Sequence, residues 1–291
     1  MKRTRAIIEQ AFRQYRPALA YSGGGDSSVL LDIVVGMGYR PPLIYTDTQM
    51  EYGTNPAFVR EQAARYGLPL HIARANITPL ECWRRHGYPM LGKMAARIWM
   101  QRHPAAVYGF KTDVSTCCRK IKIEPARKLL HAIGCNATLT GQRGAQDDRL
   151  RGMRSHKDGA ICEIKSDHIT QINPLDGWTD TMVKRYAAQH ALPINPARAA
   201  GALTIGCLYC GGGAQFDNSG FRVLRHTDPA AWRRMVTEYG FGPIIIAIKY
   251  QVPLAEAQAA LDHLGGVDAV ADRMPHVFDF LRTNPLKGYD R

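Results

Sequence analysis

The chain has 291 residues, of which 45% are hydrophobic, and it carries a formal net charge of +13 at pH 7. This length and apolar content allow a full hydrophobic core, in one large domain or in a domain with an appendage, and they exclude a disordered chain. No apolar run reaches the length of a membrane span, since the most apolar one, at residues 244–248, is far too short. The surplus of basic residues favours a polyanionic partner.

The compartment is predicted from the N-terminus and the cysteines. A basic N-terminus is followed by an amphipathic pattern rather than by the apolar core of an export signal. The chain also contains seven cysteines, some of them clustered, and without an export signal this indicates a reducing compartment. We therefore expect a cytoplasmic protein, in which paired cysteines more often bind metal than form disulfides.

The first part of the chain alternates strands with helices. The pattern predicts, in chain order, helix 5–15, strand 17–21, a helix that ends near Gly36, strand 42–45, helix 55–66 and strand 70–73. This alternation predicts an α/β fold with a doubly wound, mostly parallel sheet. In such a sheet, ligands bind beyond the carboxyl ends of the strands. Both a glycine-rich loop and Asp47 follow strands in this way.

The remaining elements are one further strand and several helices, and the last of these helices form a separate helical region. The pattern predicts a strand at 137–140 and helices at 78–86, 93–101, 123–133 and 179–189. From residue 227 onward it predicts helices alone, at 229–239, 254–264, 267–274 and 275–281. The chain is thus expected to divide into an α/β domain over residues 1–215 and a helical C-terminal appendage over residues 216–291.

The most informative stretch is Tyr-Ser-Gly-Gly-Gly-Asp-Ser-Ser at residues 21–28. It joins an apolar strand to an apolar helix, and its glycines allow backbone N–H groups to approach an anion. The helix N-terminus adds unpaired donors and a partial positive charge. The stretch is predicted to cradle phosphate or pyrophosphate, with an ordinary strand-to-helix turn as the alternative. It matches neither the Walker loop nor the G-x-G-x-x-G motif. The residues expected to bind the anion are Ser22, Gly23, Gly24, Gly25, Asp26, Ser27 and Ser28.

Two close pairs of cysteines form a second candidate site. Cys117 and Cys118 are adjacent, and Cys207 and Cys210 form a C-x-x-C motif that is followed by three glycines. Four thiolates in two pairs can hold Zn²⁺ or an iron–sulfur cluster. Two unrelated cysteine pairs within a core are the alternative. Among the single cysteines, Cys135 is expected in the core.

These features together resemble the phosphoadenosine-phosphosulfate (PAPS) reductase family of the adenine nucleotide α-hydrolase superfamily. Within that superfamily, Ser-Gly-Gly-x-Asp-Ser resembles the PP-loop of enzymes that cleave ATP to AMP and pyrophosphate. The resemblance covers about residues 15–212. It rests on the motifs at 22–27, 45–52, 117–122, 141–149, 173–178, 192–196 and 206–210.

The resemblance implies roles for several residues. The paired cysteines would ligate a [4Fe–4S] cluster as in adenylyl-sulfate (APS) reductases, with zinc as the alternative because the thiolate set suits both. Lys122 would lie near the cluster and the nucleotide phosphates. Arg143 and Arg149 would contact the phosphate or sulfate end of the nucleotide, because guanidinium groups suit oxyanions. Asp47 would lie near the adenosine.

Two features depart from the sulfite-releasing reductases of this family. Those enzymes use a catalytic cysteine in a C-terminal tail, whereas here no cysteine follows Cys210. They also carry degraded versions of Ser-Gly-Gly-x-Asp-Ser, whereas the ATP-cleaving enzymes carry the full motif. Both departures predict that the chain uses ATP rather than producing sulfite.

The leading hypothesis is therefore an ATP pyrophosphatase that adenylylates an acceptor for iron–sulfur-dependent sulfur insertion into DNA or tRNA. Mg²⁺ would bridge the ATP phosphates, with Asp26 as a contact. Arg143, Arg149 and Lys122 would stabilise the developing charge as catalytic residues. The hypothesis implies a nucleic acid acceptor and a sulfur donor such as a cysteine desulfurase. The helical appendage would bind nucleic acid or a partner, or would serve as an element that forms a homodimer or caps the fold.

Two alternatives remain open. The first is a sulfonucleotide reductase that releases sulfite from APS or PAPS with a thiol from Cys82, Cys162 or a partner protein. The second is a non-catalytic subunit that binds a nucleotide and a cluster.

Overall fold

The structure is a computed structural model that describes residues 1–90, 114–144, 160–164, 168–202, 204–210, 220–250 and 254–263. Within these ranges, no helix is both long enough and apolar enough to cross a membrane. The chain forms two compact units that interleave along the sequence. Unit 1 comprises residues 1–75 and 122–200, and unit 2 comprises residues 76–121 and 201–291. The boundary expected between residues 215 and 216 falls in the stretch 211–219, outside the described residues.

Unit 1 is built on a sheet of six strands among the described residues. The strands are β1 (Pro17–Ala20), β2 (Leu43–Asp47), β3 (Leu70–Arg74), β4 (Ala137–Leu139), β5 (Ile161–Ile164) and β6 (Ile169–Ile172). Their order is β3-β2-β1-β4-β6-β5. All neighbouring pairs are parallel except β5 with β6, which is antiparallel. The predicted α/β fold with a doubly wound, mostly parallel sheet is confirmed.

The helices of unit 1 cover both faces of this sheet. They are α1 (Lys2–Gln14), α2 (Gly25–Gly36), α3 (Asn55–Arg65), α6 (Glu124–Ala132), α7 (Asp180–Gln189) and α8 (Pro196–Ala199). The two helices that lie between α3 and α6 along the chain belong to unit 2. One apolar cluster packs Leu19 and Leu43 against α1, α2, α3 and α7. The other packs Ala18 and Ile44 against Leu130 of α6. Successive strand residues point to opposite faces, which is why neighbours in β1 and β2 belong to different clusters.

Unit 2 is helical in its described part. It contains α4 (Pro79–His86), α5 (Val114–Cys118), α9 (Gly220–Thr227), α10 (Pro229–Val236), α11 (Phe241–Tyr250) and α12 (Leu254–His263). A π-helical turn at Arg119–Ile123 connects α5 to α6. The helices bury a row of apolar side chains that includes Trp83, Leu224, Trp232, Met235, Phe241 and Ile245.

Most predicted elements are present, with small differences at their ends. Strand β2 continues to Asp47, and α10 ends at Val236 rather than near residue 239. The sequence did not predict β5, β6, α5, α8, α9 or α11. The apolar run at 244–248 lies inside α11, and the side chains of this helix that the structure describes are all buried. The predicted helices at 93–101, 267–274 and 275–281 lie outside the described residues.

Candidate functional site

The glycine-rich loop lies at the switch point of the sheet, between β1 and β4. The chain leaves β1 towards β2 and β3 on one side, and β4 pairs with β1 on the other. The loop follows β1, and the segment Gly141–Arg143 follows β4, so both lie at the carboxyl edge where doubly wound sheets bind ligands. The position predicted for the anion site is therefore the position that the topology favours.

The loop itself presents a helix N-terminus that no side chain caps. Helix α2 begins at Gly25, and its N-cap residue Gly24 offers no side-chain hydrogen bond. Ser27 Oγ donates to the carbonyl oxygen of Gly24 at 2.9 Å and lies 3.2 Å from Ser22 Oγ. Helix N-termini of this kind attract anions through their backbone N–H groups and their partial positive charge.

The buried side-chain amides of Asn55 and Asn195 hydrogen-bond to the backbone of the loop. Asn195 Nδ2 donates to the carbonyl oxygen of Gly23 at 3.1 Å and to Asn55 Oδ1 at 2.8 Å. Asn55 Nδ2 donates to the carbonyl oxygen of Ser22 at 3.2 Å. These hydrogen bonds occupy the carbonyl oxygens of Ser22 and Gly23 in the loop. A side chain at Gly23 is excluded, since its φ is +78° and a Cβ there would lie 2.5 Å from Asn55 Oδ1.

The segment that follows β4 packs closely against the first turn of α2. A Cβ on Gly141 would lie 2.9 Å from the carbonyl carbon of Asp26 and 2.9 Å from the amide nitrogen of Ser27. Both are backbone atoms, so they cannot move aside as a flexible side chain could. Glycine at 141 is therefore required for the segment after β4 to approach the loop.

The side chain of Arg143 is buried between two carboxylates. Its Nε lies 3.0 Å from Asp26 Oδ1, its Nη2 contacts Asp180 Oδ1, and its Nη1 donates to the carbonyl oxygen of Trp178 at 3.4 Å. The Nε contact is an ion pair by distance only, because that N–H does not align with any acceptor as a hydrogen bond. The structure thus brings two of the predicted catalytic residues, Asp26 and Arg143, together at the loop.

Other predicted residues lie apart from this cluster or cannot be placed. Asp47 ends β2, where its carboxylate accepts from Arg74 Nε at 3.0 Å and from the amide of Gln49 at 2.8 Å. Lys122 is exposed on the π-helical turn. Arg149 lies outside the described residues, and so do the side-chain details of Cys162, whose backbone is part of β5.

A half-buried carboxyl lies next to the loop network. Glu51 Oε1 accepts from Thr48 Oγ1 at 2.8 Å, and Glu51 Oε2 lies 3.4 Å from Asn55 Nδ2. Burial raises the pKa of Glu51 above its usual value, while the hydrogen bond from Thr48 and the charge of Lys122 oppose that rise. Burial likewise raises the pKa of Tyr21 to about 12, so its phenol stays protonated where it contacts Ser28 Oγ at 3.2 Å.

The four paired cysteines all belong to unit 2. Each is half-buried, and none of the described cysteines forms a disulfide. Trp83 Nε1 donates to Cys117 Sγ at 3.2 Å. Among the described residues, however, no three His, Cys, Asp or Glu side chains are gathered as a ready group of metal ligands. Two pairs of thiols within one unit have the chemistry of a cluster site, without the assembled geometry.

Sequence reasoning missed several residues that shape these sites. Asn55, Asn195, Asp180 and Trp83 were given no role, although Asn195 belongs to one of the motifs behind the resemblance. A usable pattern existed for Asn195, because Asn before Pro196 is typical of a helix N-cap followed by proline, and its Oδ1 does accept from the amide of Ala197 at 3.0 Å. Nothing in the sequence shows that its amide also reaches the loop, which is distant along the chain.

Comparisons with known proteins bear on this site. Residues 16–212 match the model of the phosphoadenosine phosphosulfate reductase domain. A PAPS reductase of Photobacterium profundum is 29% identical over 189 residues, which are 65% of this chain and 65% of that protein. An APS reductase of Deinococcus radiodurans is 26% identical over 62% of this chain and 61% of that protein. A solved PAPS reductase of Candida auris is 24% identical and covers 70% of this chain and 87% of that one, with a TM-score of 0.49.

These relatives correct one expectation. The hypothesis of an ATP-cleaving, adenylylating sulfurtransferase is wrong, because the relatives are named as reductases of sulfonucleotides. The physical reason lies in the loop, whose backbone donors suit any tetrahedral oxyanion and do not by themselves distinguish ATP from a sulfonucleotide. The relatives support a nucleotide substrate and give no indication of a nucleic acid or a cysteine desulfurase as partner. Since the matched model spans most of the chain and includes both sites, the chain belongs to the phosphoadenosine phosphosulfate reductase domain family.

Proposed function

We propose that this protein reduces an adenylyl sulfonucleotide, APS or PAPS, and releases sulfite. The observation that carries the proposal is the match of residues 16–212 to the reductase domain, since that range contains the loop, Arg143 and all four paired cysteines. The substrate and activity of the whole protein are inferred, because the Photobacterium relative is matched over 65% of its length.

The loop is proposed to bind the anionic end of the nucleotide. The uncapped N-terminus of α2 offers backbone donors, and Ser22 and Ser27 add hydroxyl groups beside it. Arg143 supplies a guanidinium that is already held by Asp26 and Asp180. A planar, pre-oriented guanidinium suits a phosphate or sulfate oxyanion, and it loses little freedom when it binds one.

The reaction requires a thiolate nucleophile. A thiolate attacks the sulfur of the sulfonucleotide, the bond between that sulfur and the bridging oxygen breaks, and the adenosine phosphate leaves with the electron pair. This forms a sulfonated thiol. A second thiolate then attacks the thiol sulfur of that adduct, releasing sulfite and leaving a disulfide, so a dithiol reductant supplies the two electrons in total.

The positions of Cys82 and Cys162 bear on which thiol attacks the sulfonucleotide. Cys82 is fully buried on α4, which makes it unsuitable as a nucleophile. Cys162 lies on β5, and its backbone pairs with Gln171, whose side-chain amide donates to Gln142 Oε1 beside Arg143. We propose that the nucleophile is Cys162 or a thiol of a partner protein.

We also propose that the four paired cysteines hold a [4Fe–4S] cluster. Their donor set fits such a group, because all four are thiols of one unit and none of the described cysteines is tied up in a disulfide. Zinc fits the same donors, and it remains the alternative. When bound, the cluster would supply redox chemistry in unit 2, whereas substrate binding rests on the residues of the loop.

The deciding experiment incubates anaerobically purified protein with APS, with PAPS and with Mg-ATP, each in the presence of a dithiol reductant. We expect sulfite and an adenosine phosphate from one of the two sulfonucleotides and no pyrophosphate from ATP. Cys162→Ser serves as the matched variant, and it abolishes sulfite release if Cys162 is the nucleophile. Tight binding of both sulfonucleotides without turnover would contradict the proposed activity and favour a non-catalytic nucleotide-binding subunit.

A further inference from the structure

The cysteine centre and the C-terminal helices meet at one indole ring. Trp83 lies on α4, is only 3% exposed and directs its Nε1–H at Cys117 Sγ, 3.2 Å away. A buried indole N–H needs an acceptor, because leaving a buried donor without a hydrogen bond is costly. Within unit 2, this donor therefore fixes the direction in which the first cysteine pair is presented.

Aromatic rings from the C-terminal helices fix the orientation of that indole. Phe241 packs edge-on against Trp83 with ring centroids 5.1 Å apart, and Tyr239 does so at 6.2 Å. Tyr88, which follows α4, contacts both Trp83 at 5.9 Å and Phe241 at 5.3 Å. Edge-to-face pairs at these separations are favourable and directional. The ring of Trp83 is held on several sides, so its N–H cannot turn away from Cys117 freely.

The turn that carries these rings has a backbone that only glycine adopts easily. Gly240 lies between Tyr239 and Phe241 with φ at +77°, and a Cβ there would lie 2.8 Å from Tyr88 Oη. The left-handed conformation favours glycine, and an added methyl group would also have to displace the side chain of Tyr88. The turn thus has a geometry that places one aromatic ring on each side of it.

The same turn also reaches the second cysteine pair. Tyr209 lies inside the C-x-x-C motif, between Cys207 and Cys210, and its ring packs edge-on against Tyr239 with centroids 4.8 Å apart. Residues 239–241 therefore contact the segment of one pair directly and the other pair through Trp83. The aromatic rings of this turn are thus shared between the segments of both cysteine pairs.

We propose that the turn at residues 239–241 is a positioning element of the cysteine centre, which holds Trp83 so that its indole N–H bonds Cys117 Sγ. This gives the helices after residue 216 a role in the metal site rather than in binding nucleic acid. Hydrogen bonds to the sulfur ligands of iron–sulfur clusters stabilise the reduced state and raise the reduction potential. Trp83 is thus a positioning residue whose effect on the cluster passes through Cys117.

The geometric part is tested on metal-free, reduced protein by NMR of the indole N–H groups. The chain has four tryptophans, so Trp→Phe variants assign each resonance. We expect Cys117→Ala and Gly240→Ala each to shift the Trp83 indole proton upfield and to speed its exchange with solvent about fivefold or more, as expected when one hydrogen bond is lost. Gly36→Ala is the control, because a Cβ there meets nothing within 4 Å and the residue lies in unit 1, in neither segment that carries a cysteine pair. An unchanged Trp83 resonance in both variants overturns the proposal.

The functional part compares the reduction midpoint of the iron–sulfur protein in Trp83→Phe and in wild type. We expect a lower midpoint in Trp83→Phe with iron retained, and no change in Trp178→Phe. Trp178 is an apt control because it is also buried and donates its indole N–H, to Thr4 Oγ1 at 2.8 Å. An equal midpoint in Trp83→Phe contradicts the role in tuning the cluster.

This inference rests on the proposed cluster only in its second part, and the two experiments separate the possibilities. If wild-type protein carries no iron, the proposed cluster fails, while the NMR result still decides whether the turn positions Trp83. If Trp83→Phe does not fold, Gly240→Ala replaces it in the redox measurement, since it keeps every aromatic ring and perturbs the turn that positions them. A midpoint in Gly240→Ala equal to that of Gly36→Ala then counts against the proposal.

Discussion

At the scale of single residues, the proposed anion site centres on Arg143. Within the part of the chain that the structure describes, it is the only buried side chain of the Asp, Glu, Lys and Arg types, and it is balanced by Asp26 and Asp180. Only the guanidinium of this group is buried, since the side chains of Asp26 and Asp180 are 29% and 66% exposed. Leaving a buried charge without a partner is costly, so we expect the two carboxylates to hold the guanidinium in place before a substrate binds.

Replacing the guanidinium group of Arg143 with the amine of lysine tests that role. We expect Arg143→Lys to lower kcat/KM for the sulfonucleotide about 100-fold, because lysine keeps the charge but cannot reproduce the planar, bidentate donor pattern. Arg3→Lys is the matched control, since Arg3 forms an exposed ion pair with Asp176 at 3.4 Å. Steady-state kinetics provide the measurement, and equal losses in both variants would show that Arg143 has no special part in binding.

A second residue-scale prediction concerns Glu51. Burial raises the pKa of its carboxyl above the ordinary value of 4.5. A raised folded-state pKa means that its contribution to stability is complete below pH 4.5 and is lost as the pH rises through the folded-state pKa. We expect Glu51→Gln, which keeps an acceptor for Thr48, to be more stable than wild type at pH 8 and to lose this advantage near pH 4.5. Urea unfolding across that range measures it, and an advantage that grows towards acid pH would contradict the sign.

At the scale of elements, the site depends on how closely two strand ends approach each other. Strands β1 and β4 are neighbours, so the loop before α2 and the segment after β4 share one edge of the sheet. The approach is possible because Gly141 has no side chain against Asp26 and Ser27. The carboxamides of Asn55 and Asn195 then fix the loop from the α3 and α8 sides.

This packing is tested by adding a single methyl group. Gly141→Ala is expected to destabilise the protein by about 1–3 kcal/mol, as overpacking of a filled site does, and to weaken sulfonucleotide binding because the first turn of α2 must move. Gly36→Ala is the control within the same unit, since a Cβ there meets nothing within 4 Å. Isothermal calorimetry and chemical unfolding measure both effects. Equal affinity in the two variants would show that the approach of β4 does not shape the site.

At the scale of the whole molecule, the two candidate sites belong to different units. The loop, Arg143 and their carboxamide supports lie in unit 1, whereas the four paired cysteines and Trp83 lie in unit 2. Unit 2 is assembled from two separate stretches of the chain, 76–121 and 201–291. Each stretch supplies one cysteine pair, so a shared metal would link the two stretches.

Metal removal should therefore affect the two units differently. We expect chelation of the metal to speed backbone hydrogen exchange in α4, α5 and residues 204–210, because metal-binding energy is coupled to folding. The strands of unit 1 serve as the internal control, and their exchange should stay unchanged. Hydrogen exchange read by mass spectrometry gives both results together. Faster exchange in β1 and β4 alone would contradict the assignment of the metal to unit 2.

The sequence by itself determined the fold class, the loop and the family. Alternating strand and helix patterns predicted the sheet, and the order of short motifs from residue 22 to residue 210 identified the relatives. These features are local, because hydrophobic periodicity and glycine conformation act within a few residues. Function was less well determined. A missing cysteine and a full loop motif suggested ATP, whereas the relatives indicate sulfonucleotide reduction.

Only the tertiary structure decided which side chains support the sites. Asn195 holds the loop from a point 172 positions away along the chain, Asp180 pairs with Arg143, and the turn at 239–241 packs against Trp83. Contacts of this kind depend on which strands and helices become neighbours in space, and that order is not written in local periodicity. The same reason explains why the sequence assigned the C-terminal helices to an appendage, while their aromatic rings lie against the segments that carry the cysteines.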